Sequence, residues 1–216
     1  MPLIALGWCR DTAKVPDTLT LLGCGKVQVI SVTRELCPTP RRKLGLLQAC
    51  FEAGVDVIPL APNQNCPADT AVSQAHACTA DLLQQLTAIT GFGQLSLTLS
   101  WPAKPGAVPV GGSGRAFLRA LHGHSEIQAT LAKAAGMAVR DLLAGLTAPH
   151  GPVISHPDSC RVDILVGRDR ATATRQHIAT VARSLTTLPG LSLMVTGLWP
   201  PLGFVRPPRP TEAVPA

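Results

Sequence analysis

His122 and His124, two residues apart, are the first pair in this 216-residue chain whose types could hold a metal or move a proton. They fall in a segment patterned as a helix, where residues i and i+2 face different ways, so one ion cannot sit between them. His76 and Cys78 meet the same objection. Val110-Gly-Gly-Ser-Gly-Arg115 precedes a helical pattern and could offer amide N–H groups to a phosphate. It lacks the Lys-Ser/Thr of a P-loop and the full dinucleotide fingerprint, so it reads as a flexible entry to the helix. Gly23-Cys24-Gly25 together with Cys9 suggests a reactive thiol, but there is no Cys-x-x-Cys and no local His to activate one. No catalytic residue, cofactor, metal site or small-molecule substrate is expected from these groups.

The seven cysteines (9, 24, 37, 50, 66, 78 and 160) are odd in number and lack metal-ligand spacing. That argues against a disulfide framework and a closed zinc site, and for reduced thiols buried as small hydrophobes. The apolar N-terminus has no basic start and no small-residue cleavage site, so it is not expected to be a secretory signal. No run approaches the length of a membrane span, and cytoplasmic residence is the expectation. Apolar residues make up 46% of the chain and charged residues 15%, which places it among folded globular proteins rather than disordered ones.

Net charge is +6, and its distribution is uneven. Residues 1 to 100 hold seven Lys/Arg against seven Asp/Glu, whereas residues 101 to 216 hold twelve against six. Such an excess is either a solvated basic face or a surface that speeds encounter with an acidic partner. There is no tyrosine, no RNA-binding aromatic motif and no dense Arg/Lys run, so nucleic acid is a weak candidate partner. Arg206-Pro-Pro-Arg-Pro210 has the form of a proline-rich ligand but reads as a disordered tail.

The elements that would carry these residues follow from periodicity. Pro2 to Cys9 and Lys26 to Thr33 read as strands, Arg41 to Ala53 as a helix, and Val55 to Leu60 as a short strand. A helix is expected from about Ala71 to Thr90. Leu95, Leu97, Leu99 and Trp101 then alternate with Ser96, Thr98 and Ser100, the clearest half-buried strand in the chain. Ser113 is a plausible N-cap for a long helix to about Leu146. Pro149 to Pro157 reads as loop. Val162, Ile164 and Val166 mark a strand, Ile178, Val181, Ala182, Leu185 and Leu188 a helix over 172–188, and Leu191, Leu193 and Val195 the last strand.

That strand runs into Val195-Thr-Gly-Leu-Trp-Pro-Pro-Leu-Gly-Phe-Val205. Adjacent prolines fix φ near −65° and donate no backbone hydrogen bond, so the strand must leave as an extended arm. Gly197 and Gly203 permit turns on either side. Only seven aromatic residues exist in the chain, yet Trp199 and Phe204 both lie here. On local physics this is a proline-braced arm that packs its Trp on the protein.

The same segment resembles the C-terminal signature of the gas vesicle accessory family GvpL/GvpF, usually written Gly-Pro-Trp-Pro-Pro-Tyr-Ser-Phe. Arg161-Val-Asp-Ile-Leu-Val-Gly-Arg-Asp-Arg170 is similar to the family strand ending in an apolar-Val-x-Arg-Asp turn. Ser113-Gly-Arg-Ala-Phe-Leu-Arg119 is similar to the start of its long helix, and Thr90 to Ser100 to its helix-to-strand junction. The resemblance covers roughly residues 76 to 205. It departs at Leu198, Leu202 and Gly203, where the family has Pro, Tyr and Ser, and at Ile58-Pro-Leu-Ala-Pro-Asn63 in the first third.

The expected fold class is α+β. A small N-terminal α/β region (1–54) precedes a ferredoxin-like βαββαβ domain (55–197) with the long helix (about 113–146) inserted, and an arm and tail (198–216) follow. Strand 55–60 opens that βαββαβ order. The resemblance implies a non-enzymatic assembly or minor structural protein of gas vesicles. It would bind the hydrophobic coat protein and work with other gas vesicle accessory proteins. Gly197, Trp199, Pro200, Pro201 and Phe204 would anchor the arm on the C-terminal domain or on the partner. Arg115, Arg119, Arg168 and Arg170 would supply a basic face. The alternative is a ferredoxin-like ligand- or nucleic-acid-binding module.

Overall fold

The structure, a computed structural model, describes residues 2–37, 39–60, 65–101, 114–185 and 191–206. The chain divides into two compact units, Met1–Gln94 with Trp199–Ala216 and Leu95–Leu198. The α+β class is the one observed, but the division falls at Gln94, not at residue 54.

In the first unit β1 (Leu3–Arg10) lies between β3 (Val27–Thr33) and β4 (Ile58–Pro59), and β2 (Thr20–Cys24) pairs antiparallel with β3. β5 (Cys66–Pro67) also pairs with β1. Helix α1 (Pro40–Glu52) begins on a Thr39 cap whose hydroxyl accepts the Arg42 N–H at 3.2 Å, with Pro40 in the first turn. α2 (Ala68–Ala77) and α3 (Thr79–Ile89) stand where one helix was expected. The Thr79 hydroxyl donates to Ala75 O at 2.6 Å, the carbonyl that the Thr79 amide would take in a continuous helix.

Two hydrophobic clusters flank this sheet, so its strands read as near-continuous apolar runs. Val27 and Val29 of β3 join the α2/α3 cluster, while Ile30 and Val32 join the α1 cluster with Leu47 and Cys50. Strict alternation in β1 would send Ile4, Leu6 and Trp8 to one side. The register shift between Ala5 and Gly7 inserts one residue, so Ile4, Leu6 and Cys9 face α1 while Ala5 and Trp8 face α2 and α3. Trp8 is fully buried there, and its indole N–H donates to Ala71 O at 3.1 Å. Gly7 is required beside the bulge, because a Cβ would run into the Ile58 carbonyl oxygen.

The strand expected at 55–60 therefore belongs to the first sheet. Ile58 and Pro59 pair with Trp8 and Gly7, the Leu60 N–H donates to Leu6 O at 2.9 Å, and Val55 and Val57 enter the α1 cluster. The second unit takes its first strand from β6 (Phe92–Ser100), its first helix from α4 (Gly114–Gly145), and a hairpin from β7 (Ile154–His156) and β8 (Ser159–Gly167). α5 (Ala171–Leu185) and β9 (Ser192–Trp199) complete it. The sheet order β7-β8-β6-β9 with this βαββαβ succession is the ferredoxin-like plan, in which α4 is the first crossover helix and not an insertion. β7 lies in the segment expected as loop; prolines bound it on both sides and it pairs over only three residues.

The alternation read in β6 holds. Leu95, Leu97, Leu99 and Trp101 enter a core with Ala135, Ala138, Val139 and Leu142 of α4, Val162, Ile164 and Val166 of β8, and Ile178 of α5. On the other sheet face the Ser96 hydroxyl donates to Asp163 Oδ1 at 2.6 Å, and Arg161 pairs with the same carboxylate at 3.1 Å. Trp101 pins the β7–β8 turn, its indole N–H donating to Pro157 O at 3.2 Å and its amide to Asp158 O at 2.9 Å.

Candidate functional site

The proline-rich segment 199–206 is an ordered element of the first unit. Pro200 and Pro201 are buried, and two tight turns follow, with the Leu202 N–H on Pro200 O at 2.7 Å and the Phe204 N–H on Pro201 O at 3.1 Å. Two glutamine side chains receive the arm. Gln94, a buried residue of β6, accepts the Gly203 N–H at 2.8 Å, and Gln85 of α3 accepts the Arg206 N–H at 2.8 Å. Val205 then enters the cluster built by Trp8, Leu82, Leu86 and Ile89. The arm's hydrogen-bond acceptors, Gln85 in α3 and Gln94 near the start of β6, belong to the first unit. The sequence led us to expect docking on the C-terminal domain, bounded at 55–197, or on a partner; both glutamines lie within those bounds, and it is the division of the chain at Gln94 that assigns them to the first unit.

Trp199, expected as an anchor, is 44% exposed, and Phe204 is half-buried. Burial falls instead on the two prolines and on Val205, whose importance no motif marks. Its only sequence signal is an isolated apolar residue just past the Gly-Phe pair. Gly197 has φ of +109°, a region that side-chain-bearing residues rarely adopt, and it lies within β9 rather than in a turn. Gln94→Leu is expected to leave the Gly203 N–H without its acceptor at a cost of about 1–3 kcal/mol. Hydrogen exchange at the Gly203 amide would then rise several-fold, while the β1 and β3 amides keep their protection.

The four basic residues lie on two elements, two on each. Arg115 is exposed in the first turn of α4; the Arg119 side chain lies outside the described residues. Arg168 and Arg170 flank Asp169 in a 3-10 turn that leads into α5, the first half-buried and the second exposed.

Some of the groups considered for catalysis lie among the described residues. His122 and Glu126 form an exposed i,i+4 pair at 3.5 Å, and the His124 side chain and the loop 110–113 lie outside the described residues. Burial pushes the Cys9 thiol up to about 12 and the Cys50 thiol to about 11, and it also raises Cys37, Cys66 and Cys160, so none is poised as a thiolate. Among the described residues no three His, Cys, Asp or Glu groups converge to hold a metal, and no helix is long and apolar enough to cross a membrane. Lys43 is the unforeseen group. It is 2% exposed on α1, and burial lowers its pKa while the Cys37 and Cys66 thiols partly offset that shift. An open cleft of about 280 Å³ is lined by Arg10, Thr12, Lys14, Gly54 and Asp56, without a nucleophile beside a base.

No family model matches the chain, and no curated protein matches it by sequence. Solved structures do. The crystal structure of the gas vesicle protein GvpF from Anabaena sp. PCC7120 is similar with a TM-score of 0.66 and 13% identity, over 95% of this chain and 96% of that one. The crystal structure of GvpF from Microcystis aeruginosa is similar with a TM-score of 0.65 and 11% identity, over 95% of this chain and 99% of that one. The chain has the fold of the GvpF gas vesicle proteins, the fold that its Val195–Val205 segment resembles.

Proposed function

We propose that this chain is a non-enzymatic gas vesicle protein, acting in shell assembly or as a minor shell component through binding of the hydrophobic coat protein. The observation that carries the reading is the fold match to two gas vesicle proteins over 95% of the chain. A gas-filled shell needs coat subunits with a strongly apolar face. Before assembly that face exceeds the few hundred Å² of exposed apolar surface that soluble monomers tolerate. A partner that covers it prevents aggregation. Trp199 suits such contact, because the arm is already held by Pro200, Pro201, Val205 and the two glutamines while the indole remains 44% exposed. The basic second half of the chain steers acidic subunits toward it. The reading places the protein at the gas vesicle in the cytoplasm, beside other accessory proteins of the shell.

Co-expression of the tagged chain with the coat protein, followed by affinity purification, tests this. The wild-type chain is expected to retain the coat protein. Trp199→Ala is expected to reduce retention about tenfold, the size of a lost 1.4 kcal/mol contact, with little change in melting temperature. Absence of coat protein in the wild-type eluate overturns the reading.

A further inference from the structure

The second unit's sheet ends differently on its two sides. β7, at one end, pairs over three residues. β9, at the other, has eight residues, Ser-Leu-Met-Val-Thr-Gly-Leu-Trp, without a charge or a proline. End strands present unpaired N–H and C=O groups, and soluble proteins blunt them by shortness, charge or proline. β7 is short; β9 has none of these devices.

The core is also open along β9. The core-facing leucines of β6 and the core residues Val162 and Ile164 of β8 are at most 1% exposed. On β9 the residues packed against the same core, Leu193, Val195 and Leu198, are only half-buried, and Met194 stands 58% exposed between them. A further strand laid along β9 would close this seam and pair its backbone at once. α5, which shares that core and leads into β9, carries Arg175, His177 and Arg183 and no acidic residue. A second copy meeting β9 about a dyad would bring two such helices together, and like charges oppose that arrangement. An acidic partner is favoured instead.

We infer that β9 is a strand-addition site for an extended partner segment, uncharged and apolar where it pairs and acidic at its flanks. The inference rests on the proposed function, under which that segment belongs to the coat protein, and it assigns the contact to a backbone edge of the second unit.

The test uses the same co-purification with the full-length chain. Met194→Lys and, separately, Ser192→Lys place a charge on exposed β9 positions, where a paired strand tolerates it poorly. Each is expected to cut coat-protein retention about tenfold or more with an unchanged melting temperature, so a folding defect in one leaves the other to decide. Arg175→Glu is expected to weaken retention severalfold by removing the charge match. If wild-type and Arg175→Glu chains retain coat protein equally, the acidic partner is wrong. If both Lys variants retain it as the wild type does, strand addition at β9 is wrong and the function stands. If the Lys variants instead convert a dimer to a monomer at constant retention, β9 belongs to a second copy. If the wild type retains none, the proposed function fails and this inference fails with it.

Discussion

Trp8→Ala is expected to remove about 3–5 kcal/mol of stability, a large part of what a domain this size possesses. The indole is fully buried among Ala71, Leu82, Leu86 and Ile89, so truncation leaves a cavity that surrounding helices fill only partly. It also removes the hydrogen bond that the indole N–H donates to Ala71 O at 3.1 Å. Trp8→Phe separates the two effects, keeping most of the volume and losing the hydrogen bond, and is expected to cost about 1–2 kcal/mol. Urea unfolding followed by circular dichroism checks both. The midpoint should fall in the order wild type, Phe, Ala at a constant slope, since the surface exposed on unfolding is unchanged. Because Val205 shares this cluster, Trp8→Ala should also speed exchange of the Gly203 amide. A Trp8→Ala chain as stable as the wild type would mean that the bulge does not direct the indole into this core.

Much of this architecture was legible where one residue pattern has one physical solution. The Leu95–Trp101 alternation specifies a half-buried strand, and the paired prolines after Trp199 specify where the last strand ends; both are observed. Four features were not legible. The β1 bulge changes which residues face which helix layer, yet an unbroken apolar run has no periodicity to reveal the change. The run Val55–Leu60 looks like any short strand, and sequence cannot say which sheet will take it. Assigning it to the wrong sheet made α4 look like an insertion, when it is the crossover helix of the βαββαβ unit. For the arm, proline chemistry predicted an extended exit but not its destination. That depends on glutamines at 85 and 94, residue types too common to stand out. The surface positions Met194 and Trp199 were visible as residues, but their exposure is a property of the assembled sheet.

At high pH the protein is expected to lose several kcal/mol of stability through its buried thiols. Cys9 goes from an ordinary 9.0 to about 12 and Cys50 to about 11, chiefly because burial penalises the thiolate, with Cys50 adding to the rise of Cys9. Both folded values are raised above the unfolded one. Their contribution is therefore complete below pH 9 and is lost as pH climbs toward the folded values, because the unfolded chain releases these protons first. At 1.36 kcal/mol per unit, full loss is on the order of 4 kcal/mol for Cys9 and 3 kcal/mol for Cys50. Lys43 acts in the opposite direction. Its folded pKa is lowered by burial, so the unfolded state holds the extra proton and stability rises with pH until about 10.5. The thiol loss continues beyond that point with nothing to offset it. Urea midpoints measured from pH 8 to 11.5 should fall most steeply at the upper end. Cys9→Ala with Cys50→Ala lowers stability at pH 8 by the packing lost, but should flatten the alkaline limb, leaving the raised thiols of Cys37, Cys66 and Cys160 to work against the Lys43 rise. A double variant with the wild-type slope would assign the alkaline loss to other groups.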